Sequence, residues 1–168
     1  QDVVAHASGQ NWNSYFNSKL RNKIGMDGAW FQLDNNSVFA STTRSMARFG
    51  LLMYNKGKWA NNVIVNENYC NDATSSSQNI NLAYGYLWWL NGKKSYHLPQ
   101  SQATFFGSII PSAPNDMFMA LGKNDQKIYV IPSMKMVVIR MGAAAATTNL
   151  ALSDFDETLW RKINALYQ

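Results

Sequence analysis

Apolar and polar positions alternate most regularly between Met117 and Met141. Met117–Gly122 and Lys127–Ile131 form two such runs, joined by the turn residues Asn124-Asp125; Pro132-Ser133 makes a second turn and Met136–Met141 a third run. Successive side chains of a strand point to opposite faces, so this pattern predicts three strands in an antiparallel meander. An Ala/Thr-rich loop follows, and then a predicted helix, Ser153–Tyr167. Ser153 and Asp156 have capping-box spacing, and Phe155, Leu159, Ile163 and Leu166 fall on one helical face, which should lie against a sheet.

Helical spacing recurs earlier. Asn11–Ile24 places Trp12, Tyr15, Phe16, Leu20 and Ile24 on one face, with Gly25 at the stop position. Trp30–Phe39 mixes aromatic residues with Asp and Asn without a period and reads as a loop with some extended character. Ser41–Asn55 is a second strong helix, capped by Ser41 or Thr42 and ended by Gly57, with Met46, Phe49 or Gly50, and Met53 facing a core. Arg44 and Arg48 read as an exposed basic stripe rather than an anion clamp.

Asn66 is placed to cap a short helix holding Cys70, which reads as a buried, inert thiol. Thr74–Asn81 is a polar loop. The aromatic stretch Ala83–Leu90 divides between core and cleft wall, and Ser95–Pro114 reads as an irregular connection crossing the sheet toward the meander.

Composition narrows the function classes. With 168 residues, 46% hydrophobic and 13% aromatic, the chain can bury a real core as one domain. No apolar run approaches the ~20 residues that span a bilayer. The start QDVVAHASG lacks the basic and apolar regions of a signal peptide, which suggests a chain that begins inside a longer protein or after processing. The +5 charge is spread from Lys19 to Lys162 with no nucleic-acid-binding motif, so solvated faces are expected and not a nucleic-acid partner. One cysteine excludes an internal disulfide. His6 and His97 lack metal-ligand partners at usual spacing, so neither metal nor cofactor is expected. Asp154, Asp156 and Glu157 suit the positive end of a helix dipole.

Three ordered segments carry a resemblance: STTRSMARFGLLMYNKGKW (Ser41–Trp59), AYGYLWWLN (Ala83–Asn91) and Met117–Gly142 with its closing helix. Together they resemble the C-terminal half of the serine β-lactamase-like hydrolases, which include class C β-lactamases, DD-peptidases, esterases and 6-aminohexanoate-dimer hydrolases. The resemblance implies an α/β (α+β) fold: antiparallel strands with packed helices, the C-terminal part of a β-lactamase/transpeptidase-like fold, with residues 1–168 one partial domain. It also implies a secreted or periplasmic location.

The family nucleophile is a serine in Ser-x-x-Lys, whose lysine takes the serine proton, assisted by a Tyr-x-Asn tyrosine. The resemblance places both motifs N-terminal to the matched region. No serine in this chain has lysine three positions on; Ser18, Ser41 and Ser45 have arginine there, which stays protonated. The third family element, a strand edge reading Lys-Thr-Gly or His-x-Gly, matches Ala120-Leu121-Gly122, followed by Lys123.

The role this carries to Gly122 and Lys123 is close backbone approach and a main-chain N–H for an oxyanion hole. Ala120, Leu121, Tyr84 and Trp88 would border a small ester or amide substrate. Ala120 departs from the lysine or histidine of the pattern and resembles the esterase and amide-hydrolase branch, and Asp125 stands where glycine is expected. Two expectations follow: part of a serine hydrolase whose nucleophile lies in a missing N-terminal part, this chain alone being inactive, or a non-catalytic binding or structural module.

Overall fold

The computed structural model describes residues 1–145 and 152–167. Helix α1 (Asp2–Ser8) leads into α2 (Trp12–Phe16), which continues through a π-helical turn, Asn17–Arg21, into α3 (Asn22–Ile24). Gly25 ends this run at φ 67. The predicted helix therefore forms, widened in its middle by the π turn.

Gly28–Leu33 (β1) and Asn36–Ser41 (β2) form an antiparallel hairpin, with Asp34 at φ 53 in its turn. The loop expected over Trp30–Phe39 is corrected to paired strands. Most of β1 and β2 is exposed, so no apolar alternation marks them. Their anchorage is aromatic instead: Phe16 meets Trp30 and Phe39 edge-on, at ring distances of 5.3 and 4.9 Å.

Helix α4 (Thr43–Tyr54) starts where Thr42 accepts a hydrogen bond from the Ser45 N–H; Ser41 remains in β2. A short ladder, β3 (Lys58–Trp59) with β4 (Asn62–Val63), precedes α5 (Glu67–Ala73), which Asn66 caps through Asn68 N–H. Strand β5 is only Trp89–Leu90. Ser95–His97 (β6) and Thr104–Phe106 (β7) then form a second hairpin, a correction to the irregular connection expected over Ser95–Pro114. Three-residue strands are too short for a period to show, and the cross-strand stack of Tyr96 on Phe105, 5.3 Å apart, holds them.

The meander is β8 (Phe118–Gly122), β9 (Gln126–Ile131) and β10 (Met136–Arg140), followed by α6 (Asp154–Asn164). The sheet order is β10-β9-β8-β5, antiparallel throughout. Part of the Ala/Thr-rich loop, residues 146–151, lies outside the described residues.

Strand alternation gives the sheet two buried faces. Phe118, Ala120, Ile128, Val130 and Val137 face α4 and α5, packing with Phe49, Met53, Cys70 and Trp88. Met119, Leu121, Tyr129, Ile131 and Val138 face α6. The α6 anchor is Trp160, fully buried and edge-on to Tyr129 at 5.7 Å. Leu159 and Ile163 flank it, whereas Leu166, expected on the buried face, lies beyond the helix and is 81% exposed. Helix α4 comes so close to the sheet that a Cβ on Gly50 would sit 2.6 Å from Val137 Cγ1. Among the described residues no helix is long and apolar enough to cross a membrane.

Candidate functional site

Strand β5 covers only part of β8. Trp89 pairs with Met119 and Leu90 with Phe118, and among the described residues no strand continues on that side beside Ala120–Gly122, whose other side pairs with β9. The Asn91 N–H donates to the Met117 carbonyl at 2.9 Å, while the Leu90 N–H turns away to Ala83. Bonded pairs in an antiparallel ladder recur every second residue, so Met117, Met119 and Leu121 direct their backbone groups toward this edge. Leu121 thus offers its N–H and C=O beyond the end of β5. This is the strand edge the sequence pointed to.

The edge is open because the chain leaves the ladder at a tight turn. Gly85 N–H bonds the Trp88 carbonyl at 2.8 Å, Tyr84 bridges to Trp89, and Leu87 sits between them at φ 64. Tyr86 N–H is held by the Ala73 carbonyl at 3.0 Å, and a Cβ on Gly85 would meet that same oxygen at 2.1 Å. Only glycine lets the backbone approach the end of α5 this closely.

The six residues singled out in the sequence distribute as follows. Ala120 and Trp88 share the α4 side, and Leu121 and Tyr84 the α6 side. Trp88 is a core residue, 6% exposed, between Phe49 at 6.1 Å and Phe118 at 5.2 Å. Tyr84 is half-buried, edge-on to Trp89 at 4.8 Å. Gly122 ends the strand in extended geometry, where a Cβ would press on Gln126 Cβ at 3.3 Å, and Lys123 is exposed.

Directly after Gly122 lies a group of charges in which Lys127 was expected on a solvated face, Asp125 stood at an expected glycine and Asp156 was assigned to the helix dipole. A 3₁₀ turn, Lys123–Asp125, carries Asp125 into the interior, with Asn124 at φ 58 and Asp125 at φ 57. Aspartate and asparagine tolerate this left-handed region, which is how Asp125 occupies the expected glycine position. Asp125, Lys127 and Asp156 are each no more than 2% exposed. Lys127 Nζ lies 3.2 Å from Asp125 Oδ1 and 3.0 Å from Asp156 Oδ2, and the Tyr129 hydroxyl donates to Asp156 Oδ1 at 2.5 Å. Asp156 also completes the capping box with Ser153, whose hydroxyl donates to Asp125 at 2.8 Å.

The helix-dipole account of the three acids is thus corrected for Asp156, which is a buried ion-pair partner. Glu157 accepts from Ser112 N–H and Arg161, and Asp154 alone is exposed. Burial, the largest influence on Asp125, acts to raise its pKa, but hydrogen bonds from Ser153, Ala145 and Lys127 outweigh it and hold the value at about 2. Burial, then the neighbouring Asp156 carboxylate, pushes the Tyr129 phenol far up, so it remains a hydrogen-bond donor. Arg140 donates to the Asn124 carbonyl at 3.0 Å and lies 5.1 Å over the Phe155 ring, bracing the same turn. The cluster clamps the turn that follows the open edge.

Other chemistry-bearing residues stand apart. Two triplets have Tyr-x-Asn spacing, Tyr15-Phe16-Asn17 and Tyr69-Cys70-Asn71, although that motif was expected N-terminal to the matched region. Both are helical, the first across the junction of α2 with the π turn and the second within α5, and neither accompanies a Ser-x-x-Lys. Cys70 is 2% exposed, and burial pushes its thiol pKa up, which suits an inert core thiol. Arg48 donates to the Gly25 carbonyl, so the basic stripe on α4 is half structural.

Among the described residues His97 Nε2 meets only Thr104 Oγ1, at 3.4 Å, and no cluster of His, Cys, Asp or Glu could hold a metal. A cavity of about 350 Å³ opens beside Trp12, Trp30 and Phe31, and one of about 300 Å³ beside Tyr96, Ile110 and Glu157. Neither is lined by Ala120–Lys123.

No protein-family model matches the chain, and no curated protein matches it in sequence. Solved structures do match its fold. A protein assigned as a 6-aminohexanoate-dimer hydrolase from Bacillus anthracis superposes with a TM-score of 0.67 at 19% identity, over 99% of this chain and 42% of that one. A protein assigned as a β-lactamase from Bacteroides dorei DSM 17855 superposes with a TM-score of 0.63 at 10% identity, over 98% of this chain and 54% of that one. The fold is therefore β-lactamase-like, and the chain spans about half the length of the solved structures it matches.

Proposed function

We propose that this chain is the C-terminal portion of a serine hydrolase that cleaves an ester or amide through an acyl-serine intermediate, with the nucleophile supplied from outside these 168 residues. The observation that supports this most directly is the open edge of β8 at Leu121, next to the clamped Lys123–Asp125 turn, in a fold shared with proteins assigned as hydrolases. Attack of a serine oxygen on a carbonyl makes a tetrahedral oxyanion, and a rigid backbone N–H aimed at that oxygen stabilises it without reorganising.

In this reading Gly122 admits the substrate close to the backbone, and the N–H groups of Leu121 and Lys123 are the candidate donors. Ala120 puts no cation beside the substrate, which favours esters and amides over substrates recognised through a carboxylate. Neither a metal nor a cofactor enters the scheme.

The test is activity-based labelling of the whole protein with a fluorophosphonate, followed by peptide mapping and a p-nitrophenyl butyrate assay. The expected result is turnover, with the label on a serine outside this stretch that has a lysine three positions on. A label inside the 168 residues would overturn the proposal; so would a protein that neither labels nor turns over, which would be a binding or structural module.

A further inference from the structure

Leu87 is a residue the fold gives no reason to keep. It occupies the third position of the four-residue turn Gly85–Trp88, at φ 64, and its side chain is 81% exposed. Positive φ at that turn position is ordinarily supplied by glycine or asparagine, because a Cβ there crowds the backbone. A branched apolar residue accepts that strain and, being exposed, recovers little of it through burial. Among the described residues, the other non-glycine residues at positive φ are Asp, Asn, Lys, Gln and one Ala. Strain without a packing return points to a role outside folding.

Its position says which role. Leu87 stands two residues before Trp89, the point at which β5 pairs with Met119, so its Cα is at most about 7.6 Å from that pairing, two Cα–Cα steps. Continuing the ladder would have set Leu87 opposite Leu121. The left-handed turn instead peels the chain away and leaves that edge open, with Leu87 at its rim. Beside it, Tyr86 is 47% exposed and its ring lies 6.0 Å from that of Tyr69, itself 53% exposed. The rim is apolar on a chain carrying a +5 charge.

We propose that Leu87 is a specificity-determining residue, whose side chain walls the slot along β8 and packs on an apolar acyl chain of the ester or amide substrate. This rests on the hydrolase reading above. The fold needs a left-handed residue here, and the substrate needs the leucine.

The test separates these needs in the whole protein. Leu87→Gly supplies the turn without the side chain, and Leu87→Met restores apolar bulk. Rates are compared on p-nitrophenyl acetate, butyrate and octanoate, with thermal midpoints for each variant. Leu87→Gly should leave the melting temperature unchanged or raised, keep acetate turnover within about twofold, and lower kcat/KM for octanoate by about tenfold or more, with Leu87→Met recovering most of it.

An unchanged octanoate-to-acetate ratio, with wild-type activity present, overturns the inference and leaves the hydrolase reading standing. A lowered melting temperature for Leu87→Gly also overturns it, by showing that another part of the protein buries this side chain. Wild-type protein inactive on all three esters removes the hydrolase reading and this inference with it.

Discussion

Lys127 Nζ lies 3.0 Å from Asp156 Oδ2, both side chains at most 1% exposed, tying the central strand of the meander to the first turn of α6. Two ions leave water only where each gains a partner and its remaining hydrogen bonds are met. Here Asp125, Tyr129 and Ser153 complete the set. The cluster closes the sheet against its helix where the candidate edge ends.

Removing Asp156 should therefore be far more damaging than removing its neighbour in the same helical turn. Asp156→Ala is expected to lower the unfolding free energy by about 3–5 kcal/mol, because it strips a buried lysine of one counter-ion. Asp154 is exposed, and Asp154→Ala should cost about 0.3–1 kcal/mol through the helix dipole alone. Urea unfolding of the two variants side by side decides the matter; equal losses would mean that the dipole accounts for both.

Acid sensitivity follows from Asp125. Its folded-state pKa of about 2 lies below the ordinary 3.8, so as pH falls the unfolded chain takes up the proton first. Its contribution is complete above the unfolded value and is lost as pH drops from about 4 toward about 2. Asp125→Asn should flatten the slope of unfolding free energy against pH across that window. Glu67 and Glu157, also held below the usual carboxylate range, leave a residual slope in the variant.

These charges were the part of the molecule hardest to read from sequence. The meander was legible because both faces of its strands are buried and its turns carry Asn, Asp, Pro and Ser, and α6 because Ser153 and Asp156 announce its start. The hairpins at Gly28–Ser41 and Ser95–Phe106 were not, since strands largely exposed or three residues long leave no period to detect. A signal for Lys127 was available: it shares strand phase with Tyr129 and Ile131, both fully buried. Charge was read as exposure, and the alternation was the better guide. The edge itself was legible only through the resemblance, because openness depends on where β5 stops.

Gly50 tests the close packing of α4. Alanine favours a helix over glycine by about 1 kcal/mol, so propensity alone predicts stabilisation. The added Cβ would, however, lie 2.6 Å from Val137 Cγ1 and 3.2 Å from Ile128 Cγ2, inside van der Waals contact. Overpacking of this kind costs about 1–3 kcal/mol, and it should win. Gly50→Ala is expected to destabilise, and Val137→Ala in the same chain to recover part of the loss, as measured by thermal midpoints.

Asn91 supports the edge from behind. Fully buried beside β5, its Oδ1 accepts from the Ile110 N–H at 3.0 Å, and its Nδ2 lies 3.0, 3.2 and 3.1 Å from the carbonyls of Ile110, Ala113 and Pro114. The side chain thereby stands in for the backbone partners this irregular segment lacks. Asn91→Asp keeps the volume but replaces the donor with an acceptor, so those carbonyls face a carboxylate and lose their N–H. Each buried group left without a partner costs about 1–3 kcal/mol, and the loss at pH 7 should exceed that of Asn91→Ala, which adds no charge. Burial among carbonyls raises the pKa of the new aspartate above its unfolded value, so protonation favours the folded state. The gap to wild type should accordingly narrow between pH 7 and pH 4. A gap independent of pH would mean that water reaches the new carboxylate and that the amide is not the sealed hub its hydrogen bonds describe.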